Sequence, residues 1–269
     1  MIFLNDNSRN KLKKIKLFVL DIDGTFSLSG KPLPGAKEFI STIKNQNKHF
    51  VFLTNNSNKS LEEYVFEFKK QNIDVSKKQI FTAGIETAEY IYQKFGRRKI
   101  YIVGTNAIKE IFSKYGHEVV ENEEPDIVVI SFDKSLTYEK LAKASVYVSK
   151  GKLFVLTNPD LNCPSKDGPI PDTGSIASVI EKASDKKPNI VFGKPDPLIL
   201  EMIIKKFNVK KEETCVIGDR LYTDILLGIR AEVTTILVLT GEAKGEDIKN
   251  SNIKPDIIAK DLGEIAKFI

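Results

Sequence analysis

Two aspartates separated by one residue form the segment of the chain best suited to chemistry. Asp21 and Asp23 follow the apolar run 17–20 and precede Gly24, where the chain can turn. A carboxylate that attacks phosphorus forms an acyl phosphate. A second carboxyl can protonate the departing alcohol and later take a proton from water. The pair therefore suggests a nucleophile and an acid/base, although such a segment alone is also an ordinary strand-capping turn.

Two further aspartates follow another apolar run. Asp219 comes directly after residues 214–218, and Asp224 lies five positions later. At an effective dielectric of about 20, two like charges about 4 Å apart repel by about 4 kcal/mol, so clustered carboxylates and a phosphate dianion require a divalent cation. Carboxylates plus substrate phosphate suit magnesium. Zinc is not expected, because His49 and His117 are isolated in the sequence.

A phosphoryl group also needs donors that are already in place, since positioning and electrostatics supply most of the catalysis in its transfer. Thr54, Asn55 and Asn56 follow the apolar run 50–53, and Lys194 offers a point charge. Alone, the polar run is typical of a turn with a helix cap, and a lysine is usually solvent-facing. Their order and their places after predicted strands favour phosphate binding.

Apolar runs alternate with helix-like segments along the chain, which predicts an α/β protein with a mainly parallel sheet. The polar clusters then lie at the carboxyl ends of strands, where such sheets bind ligands. Residues 87–186 repeat the alternation and are interpreted as an inserted domain, leaving a discontinuous domain of 1–86 and 187–269. Within and beside the insert we predict helices at 85–95, 105–115, 137–149 and 173–184, and strands at 99–103, 126–132 and 152–157.

Composition limits the function classes. With 41% hydrophobic and 29% charged residues among 269, the chain is typical of a globular protein. The net charge of +5 comes from scattered lysines without interleaved aromatic residues, so no nucleic acid polymer is expected as a partner. Neither a membrane span nor a signal peptide is indicated, and a cytoplasmic location is expected. Oligomeric state is left open, with a homodimer as one option.

Four ordered segments, 21–25, 53–57, 193–195 and 217–224, resemble the motifs of the haloacid dehalogenase (HAD) superfamily. More narrowly, the chain is similar to the NagD-like, p-nitrophenylphosphatase branch, over essentially its whole length after about residue 15. The resemblance implies a Rossmann-like, doubly wound parallel-sheet core with an inserted α/β cap domain. It also implies a magnesium-dependent phosphatase that acts on small phosphorylated metabolites through a phospho-aspartate, the candidates being p-nitrophenyl phosphate, sugar phosphates and nucleoside monophosphates.

The resemblance assigns roles to individual residues. Asp21 would be the nucleophile and a metal ligand, and Asp23 the acid/base with its backbone carbonyl on the metal. Asp219 would be the third protein ligand, with Asp224 supporting the metal from further out. The phosphoryl oxygens would be held by Thr54, Asn55 and Lys194, and Asn56 is a further candidate for binding phosphate or substrate.

The segment 157–164 resembles the part of the cap that faces the active site in this branch. Asn158 and Asp160 are the candidates for substrate contact, whereas Cys163 is better explained as a small buried side chain. In vertebrate pyridoxal phosphate phosphatases a histidine aligns with Cys163, so the resemblance does not extend to that specificity.

Other classes are less consistent with the chain. Response-regulator receivers place similar residues at strand ends but are much shorter. A nucleotide-binding loop is spoiled by Pro32 and Pro34 between two suitably spaced glycines, with Ala36 where the lysine belongs. A phosphotransferase or phosphomutase, and a catalytically silent metabolite-phosphate-binding protein, stay open as alternatives.

Overall fold

The computed structural model describes residue 4 and residues 6–56, 59–165 and 167–269. The chain forms two compact units. The first comprises Met1–Thr54, Leu61–Phe81 and Lys194–Ile269, and the second comprises Asn55–Ser60 and Thr82–Gly193. The boundaries expected from the sequence, after residues 86 and 186, stay a prediction of the domain organisation.

The first unit contains a parallel sheet whose central strands are buried on both faces, which explains their unbroken apolar sequences. Its elements before the second unit are α1 (Asp6–Lys14), β1 (Leu17–Leu20), β2 (Ser27–Leu28), β3 (Lys31–Pro32), α2 (Ala36–Asn45), β4 (His49–Thr54), α3 (Leu61–Lys70) and β5 (Ile80–Thr82).

The elements of the second unit are α4 (Ala83–Phe95), β6 (Lys99–Val103), α5 (Asn106–Lys114), β7 (Glu118–Val119), β8 (Ile127–Ile130), α6 (Tyr138–Ser149), β9 (Leu153–Leu156), β10 (Asn162–Ser165), β11 (Gly168–Pro171), α7 (Thr173–Ser184) and β12 (Ile190–Val191). The chain then returns to the first unit through α8 (Pro197–Phe207), β13 (Thr214–Gly218), α9 (Leu226–Ala231), β14 (Thr234–Val238), α10 (Gly245–Asn250), β15 (Ile257–Ala259) and α11 (Leu262–Ala266).

The strand order in the first unit is β15-β14-β13-β1-β4-β5. The pairs from β15 to β4 are parallel, and Leu20 of β1 lies opposite Ile217 of β13 and Phe52 of β4. Aromatic side chains fill one side of this sheet, where the rings of Phe52 and Phe68 stack with centroids 4.3 Å apart. The carboxyl ends of β13, β1 and β4 therefore lie side by side on a rigid core.

The second unit has its own parallel sheet, in the order β12-β9-β8-β6-β7, and an antiparallel hairpin of β10 and β11. Successive residues of β8 face opposite sides of the sheet. Val128 packs in one hydrophobic cluster, with α6 and α7, and Val129 packs in the other, with α4 and α5. Each face is thus covered by helices, as expected for a parallel sheet.

The predicted α/β class with parallel sheets is confirmed, and every helix and strand expected between residues 85 and 184 has a counterpart in the structure. The two-residue strands β7 and β12 and the hairpin were not expected. The hairpin contains Pro164, Pro169 and Pro171, which cannot donate backbone hydrogen bonds and so do not suggest a strand. In the part of the chain that the structure describes, no helix combines the length and apolar character needed to cross a membrane.

Candidate active site

The two aspartates Asp21 and Asp219 follow neighbouring strands of the first unit. The N–H of Asp21 donates to the carbonyl of Ile217 at 3.0 Å, which extends the β1–β13 ladder one residue beyond β1. Asp219 directly follows Gly218, the last residue of β13. The sheet backbone therefore sets the distance between these two carboxylates.

The loop after β1 bends sharply at Gly24, whose φ is +91°. The Gly24 N–H donates to the Ser27 carbonyl at 2.9 Å, and the Thr240 hydroxyl donates to the Gly24 carbonyl at 2.7 Å. A Cβ at this position would overlap the carboxylate of Asp219. Glycine is required here both for the backbone conformation and for the close approach. Asp23, one residue earlier, is exposed.

Three aspartates form an acidic cluster. One carboxylate oxygen from each of Asp21, Asp219 and Asp224 lies within 4.8 Å of the other two. Asp219 and Asp224 are buried, being 2% and 1% exposed. This donor set consists of hard oxygen atoms, which magnesium prefers over the nitrogen and sulfur ligands typical of zinc.

Asp219 is held on both oxygens. The Thr25 hydroxyl donates to Oδ1 at 3.2 Å, and the N–H of Glu242 donates to Oδ2 at 2.7 Å. A Cβ on Gly241 would overlap this carboxylate, as one on Gly24 would. The two glycines and the two donors fix Asp219 in one orientation before any ligand arrives.

Lys194 joins two members of the cluster. Its Nζ donates to Asp21 Oδ1 and, at 2.7 Å, to Asp224 Oδ1, and the lysine is 5% exposed. The other oxygen of Asp224 accepts from the Arg220 N–H and the Thr223 hydroxyl, both at 3.3 Å. Lys194 therefore pairs with two of the three carboxylates, and Asp219 is held by Thr25 and the Glu242 N–H instead.

Burial and neighbouring charges shift the pKa values of these residues. Burial raises the pKa of Asp21 to about 8, with Asp224 and Asp219 adding to the rise and Lys194 opposing it. The pKa of Asp219 is also raised, by burial and by Asp224. Burial lowers the pKa of Lys194, but the two carboxylates outweigh burial and the net shift is upward. A divalent cation would supply the missing charge, so these residues fit a magnesium site.

Thr54 ends β4, and its side chain hydrogen-bonds with the hydroxyl of Tyr64 on α3. Tyr64 is 4% exposed, and its pKa is raised by burial and by the nearby Asp23. Tyr64 was not predicted from the sequence, because a tyrosine on an amphipathic helix has the pattern of an ordinary core residue. Its contact orients the Thr54 hydroxyl.

Glu242, which lies after β14, is a second residue that was not predicted from the sequence. The Arg220 Nε is 2.9 Å from Glu242 Oε2, and the Tyr222 hydroxyl donates to Glu242 Oε1 at 2.6 Å. Glu242 also holds Asp219 through its backbone. The position of Glu242 could have been predicted, because residues 240–242 follow a strand of the same sheet and so lie at the same edge.

The remaining predicted residues belong to the second unit. Asn55 Nδ2 donates to Asp160 Oδ2 at 3.1 Å, and Asn158 Nδ2 donates to the Asn55 carbonyl at 3.3 Å. Asn158 is 1% exposed, whereas Asn55 is 7% exposed and Asn56 is partly buried. The structure thus groups Asn55, Asn158 and Asp160 with one another. Their predicted contacts with substrate stay predictions, and Ser57 lies outside the described residues.

Comparison with known proteins places these features in a wider group. Residues 18–118 match the family model for haloacid dehalogenase-like hydrolases, and residues 191–265 match a HAD-hydrolase-like model. The chain is 34% identical to the acid sugar phosphatase of Staphylococcus haemolyticus over 251 residues, which are 93% of this chain and 95% of that protein.

Solved structures agree. The 4-nitrophenylphosphatase from Thermotoga maritima is 49% identical, with a TM-score of 0.92 over 96% of this chain and 98% of that chain. NagD from E. coli K-12 is 32% identical, with a TM-score of 0.86 over 93% of this chain and 98% of that chain.

Proposed function

Because the chain belongs to the haloacid dehalogenase-like hydrolases and is a phosphatase of that family, we propose that it hydrolyses small phosphate monoesters with magnesium, through a phospho-aspartate. The observation that carries the proposal is the acidic cluster of Asp21, Asp219 and Asp224, in which Lys194 pairs with Asp21 and Asp224. This arrangement concentrates negative charge where a metal and a phosphate can meet.

Asp21 is the proposed nucleophile. Its carboxylate forms a bond to phosphorus while the bond to the leaving oxygen breaks, and Asp23 gives its proton to that oxygen. Water then attacks the phosphorus of the phospho-aspartate, Asp23 takes a proton from the water, and Asp21 is regenerated with release of orthophosphate. The exposure of Asp23 supports this role, since the acid must reach both a leaving group and water.

Magnesium would be held by the carboxylates of Asp21 and Asp219 and by the backbone carbonyl of Asp23, with Asp224 supporting it from further out. A bound magnesium ion offsets carboxylate charge and withdraws charge from the phosphoryl oxygens. Lys194 supplies a fixed positive charge beside the nucleophile. The hydrogen bonds on both Asp219 oxygens support its role as a preorganised ligand.

The phosphoryl oxygens are the proposed partners of Thr54, Asn55 and Asn56 as well as Lys194. Thr54 and Asn55 are supported by contacts that hold their side chains, with Tyr64 and Asp160 respectively. Donors fixed in advance stabilise developing charge without reorganising during the reaction. Contact of the cap residues Asn158 and Asp160 with the substrate is what the sequence predicts.

Sugar phosphates are the favoured substrates, because the curated relatives are named acid sugar phosphatases. p-Nitrophenyl phosphate is the expected artificial substrate, in keeping with the name of the Thermotoga protein. Nucleoside monophosphates are the competing class, and a phosphotransferase or phosphomutase is the competing reaction. A cytoplasmic location belongs to the same proposal, since phosphorylated metabolites are found there.

The test is a kinetic screen of the purified protein against sugar phosphates and nucleoside monophosphates, with release of orthophosphate as the readout. We expect turnover with magnesium, loss of turnover on chelation by EDTA, and recovery when magnesium is restored. Indifference to EDTA and magnesium would rule out the metal site. Transfer of phosphate to an added sugar without orthophosphate release would indicate the phosphotransferase instead.

A further inference from the structure

Three residues of the second unit form a closed ring of hydrogen bonds through side-chain and backbone groups. Asn55 Nδ2 donates to Asp160 Oδ2 at 3.1 Å, the Asp160 N–H donates to Asn158 Oδ1 at 3.0 Å, and Asn158 Nδ2 donates back to the Asn55 carbonyl at 3.3 Å. Both the amide and the backbone of Asn55 are therefore fixed by residues more than 100 positions away in the sequence.

The ring is anchored at Asn158 and at Asp160. Asn158 Nδ2 also donates to the Thr173 hydroxyl at 3.1 Å, at the start of α7. The Asp160 carbonyl accepts from the Gly174 N–H at 2.8 Å. The Asp160 backbone is thus held on both its N–H and its carbonyl, which fixes the point from which its side chain reaches Asn55.

The other side of Asn55 is closed by Gly193. A Cβ at Gly193 would lie 2.7 Å from Asn55 Oδ1 and 2.9 Å from the Thr157 carbonyl, and the glycine has a φ of +76°. The side chain of Asn55 is therefore confined between Asp160 and the Gly193 backbone. A partly buried carboxylate that accepts from an amide holds the amide nitrogen on its own side, and an amide nitrogen carries a second hydrogen suited to a phosphoryl oxygen.

From this geometry we infer that Asp160 is a positioning residue, which acts on the reaction by orienting the amide of Asn55 rather than by contacting the leaving group. The inference rests on the proposed role of Asn55 in holding a phosphoryl oxygen. It differs from the substrate contact expected for Asp160 from the sequence. A residue that acts through Asn55 affects the phosphoryl group, which is common to every substrate.

This difference separates the two roles experimentally. If Asp160 orients Asn55, Asp160→Ala lowers kcat/KM by about tenfold, because one charge-assisted hydrogen bond is lost. The factor is the same for p-nitrophenyl phosphate and for a sugar phosphate. The inhibition constant of orthophosphate, which has no leaving group, rises by a similar factor. Asp160→Asn keeps an oxygen that accepts from Asn55 and stays within about threefold of the parent protein.

A double-mutant cycle gives the sharper test. In an Asn55→Ala background, Asp160→Ala should cause almost no further loss, because its target is gone. Asp167→Ala, which removes an exposed carboxylate from the neighbouring hairpin, is the matched control and should leave kcat/KM unchanged. Circular dichroism verifies that each variant is folded, and Asp160→Asn tests the role of the acceptor even where the alanine variant does not fold.

Three outcomes overturn the inference. The first is a loss of kcat/KM that depends on the leaving group while the inhibition constant of orthophosphate is unchanged. The second is additivity of the Asn55→Ala and Asp160→Ala effects. The third is an equal loss of kcat/KM for Asp160→Asn and Asp160→Ala. Failure of the proposed function looks different, because the unaltered protein would then show no phosphatase turnover in any of these assays.

Discussion

The two parallel sheets of this protein carry polar residues at the same place, just beyond the carboxyl ends of their strands, but they balance charge differently. In the first unit, Asp21, Asp219 and Asp224 cluster together, and Lys194 pairs with Asp21 and Asp224. In the second unit, the strand β8 is followed by Asp133, whose side chain is fully buried and fully paired.

Both carboxylate oxygens of Asp133 have a partner within its own unit. Oδ1 accepts from the N–H and the hydroxyl of Ser135 at 2.8 and 2.6 Å, and Oδ2 pairs with Lys140 Nζ at 2.7 Å. Lys140 also reaches the Gly104 carbonyl at the end of β6, at 3.4 Å. One carboxylate is thus matched by one lysine, and the strand ends are closed by internal contacts.

The comparison teaches that strand-end position alone does not identify a reactive site. Both sheets satisfy the topological rule for ligand binding. The first has more carboxylates than lysines at its strand ends, and the pKa of Asp21 is raised there by burial and further by Asp224 and Asp219. Uncompensated buried charge has a cost in folding free energy, and a site that binds a cation is one reason to retain it.

The largest expected effect comes from the nucleophile. Asp21→Asn should lower kcat for p-nitrophenyl phosphate by at least about a thousandfold, because an amide cannot form the phospho-aspartate. Asp133→Asn is the matched control at the other sheet and should stay within about threefold in kcat. Retention of a tenth of the activity by Asp21→Asn would contradict the nucleophile assignment.

The acid/base role predicts a loss that depends on the substrate. Asp23→Asn should reduce kcat for a sugar phosphate by about a hundredfold and for p-nitrophenyl phosphate by about tenfold, since the nitrophenolate leaves with little protonation. Steady-state kinetics with both substrates measures the ratio. Equal losses would mean that Asp23 does not protonate the leaving group.

At Asp133, where the carboxylate is paired with Lys140, the expected effect is on stability. Lys140→Met should lower the free energy of unfolding by about 2 kcal/mol, less than for a fully buried pair because the lysine side chain is 20% exposed. Urea denaturation measures this, and kcat should change little. A Lys140→Met/Asp133→Asn variant should recover part of the loss, and an unchanged midpoint for Lys140→Met would show that Asp133 does not need its partner.

The smallest expected effect is a pH dependence of the stabilisation by magnesium. A carboxyl whose pKa rises to about 8 on folding stabilises the metal-free protein at low pH, and this contribution disappears as the pH rises through about 8. Magnesium competes with that proton, so it should raise the melting temperature more at about pH 9 than at about pH 6. Differential scanning fluorimetry with and without magnesium measures the difference. The reverse order, or an equal shift in Asp21→Asn, would contradict this account.

Much of the fold and part of the site could be predicted from the sequence. The apolar runs before Asp21, Thr54 and Asp219 are strands because a parallel sheet covered on both faces requires continuous apolar sequence. Adjacent strand ends then bring Asp21 and Asp219 together. The family motifs and the α/β class were recognisable for the same reason.

Other features depend on contacts that periodicity does not encode. The hairpin of β10 and β11 is rich in proline, and its pairing depends on its surroundings. The hydrogen bonds between Tyr64 and Thr54 and between Asn55 and Asp160 join segments that share no sequence pattern. Glu242 was overlooked because it acts on Asp219 through its backbone, and any non-proline residue type has that N–H.

The packing around Asp219 has a consequence for how the protein matures. The orientation of this carboxylate depends on Thr25 and Gly24 from one end of the chain and on Gly241 and Glu242 from the other. The chain must therefore be synthesised through Glu242 before all four neighbours of Asp219 are present. The oriented carboxylate therefore becomes available to a cation only after these distant segments have packed together.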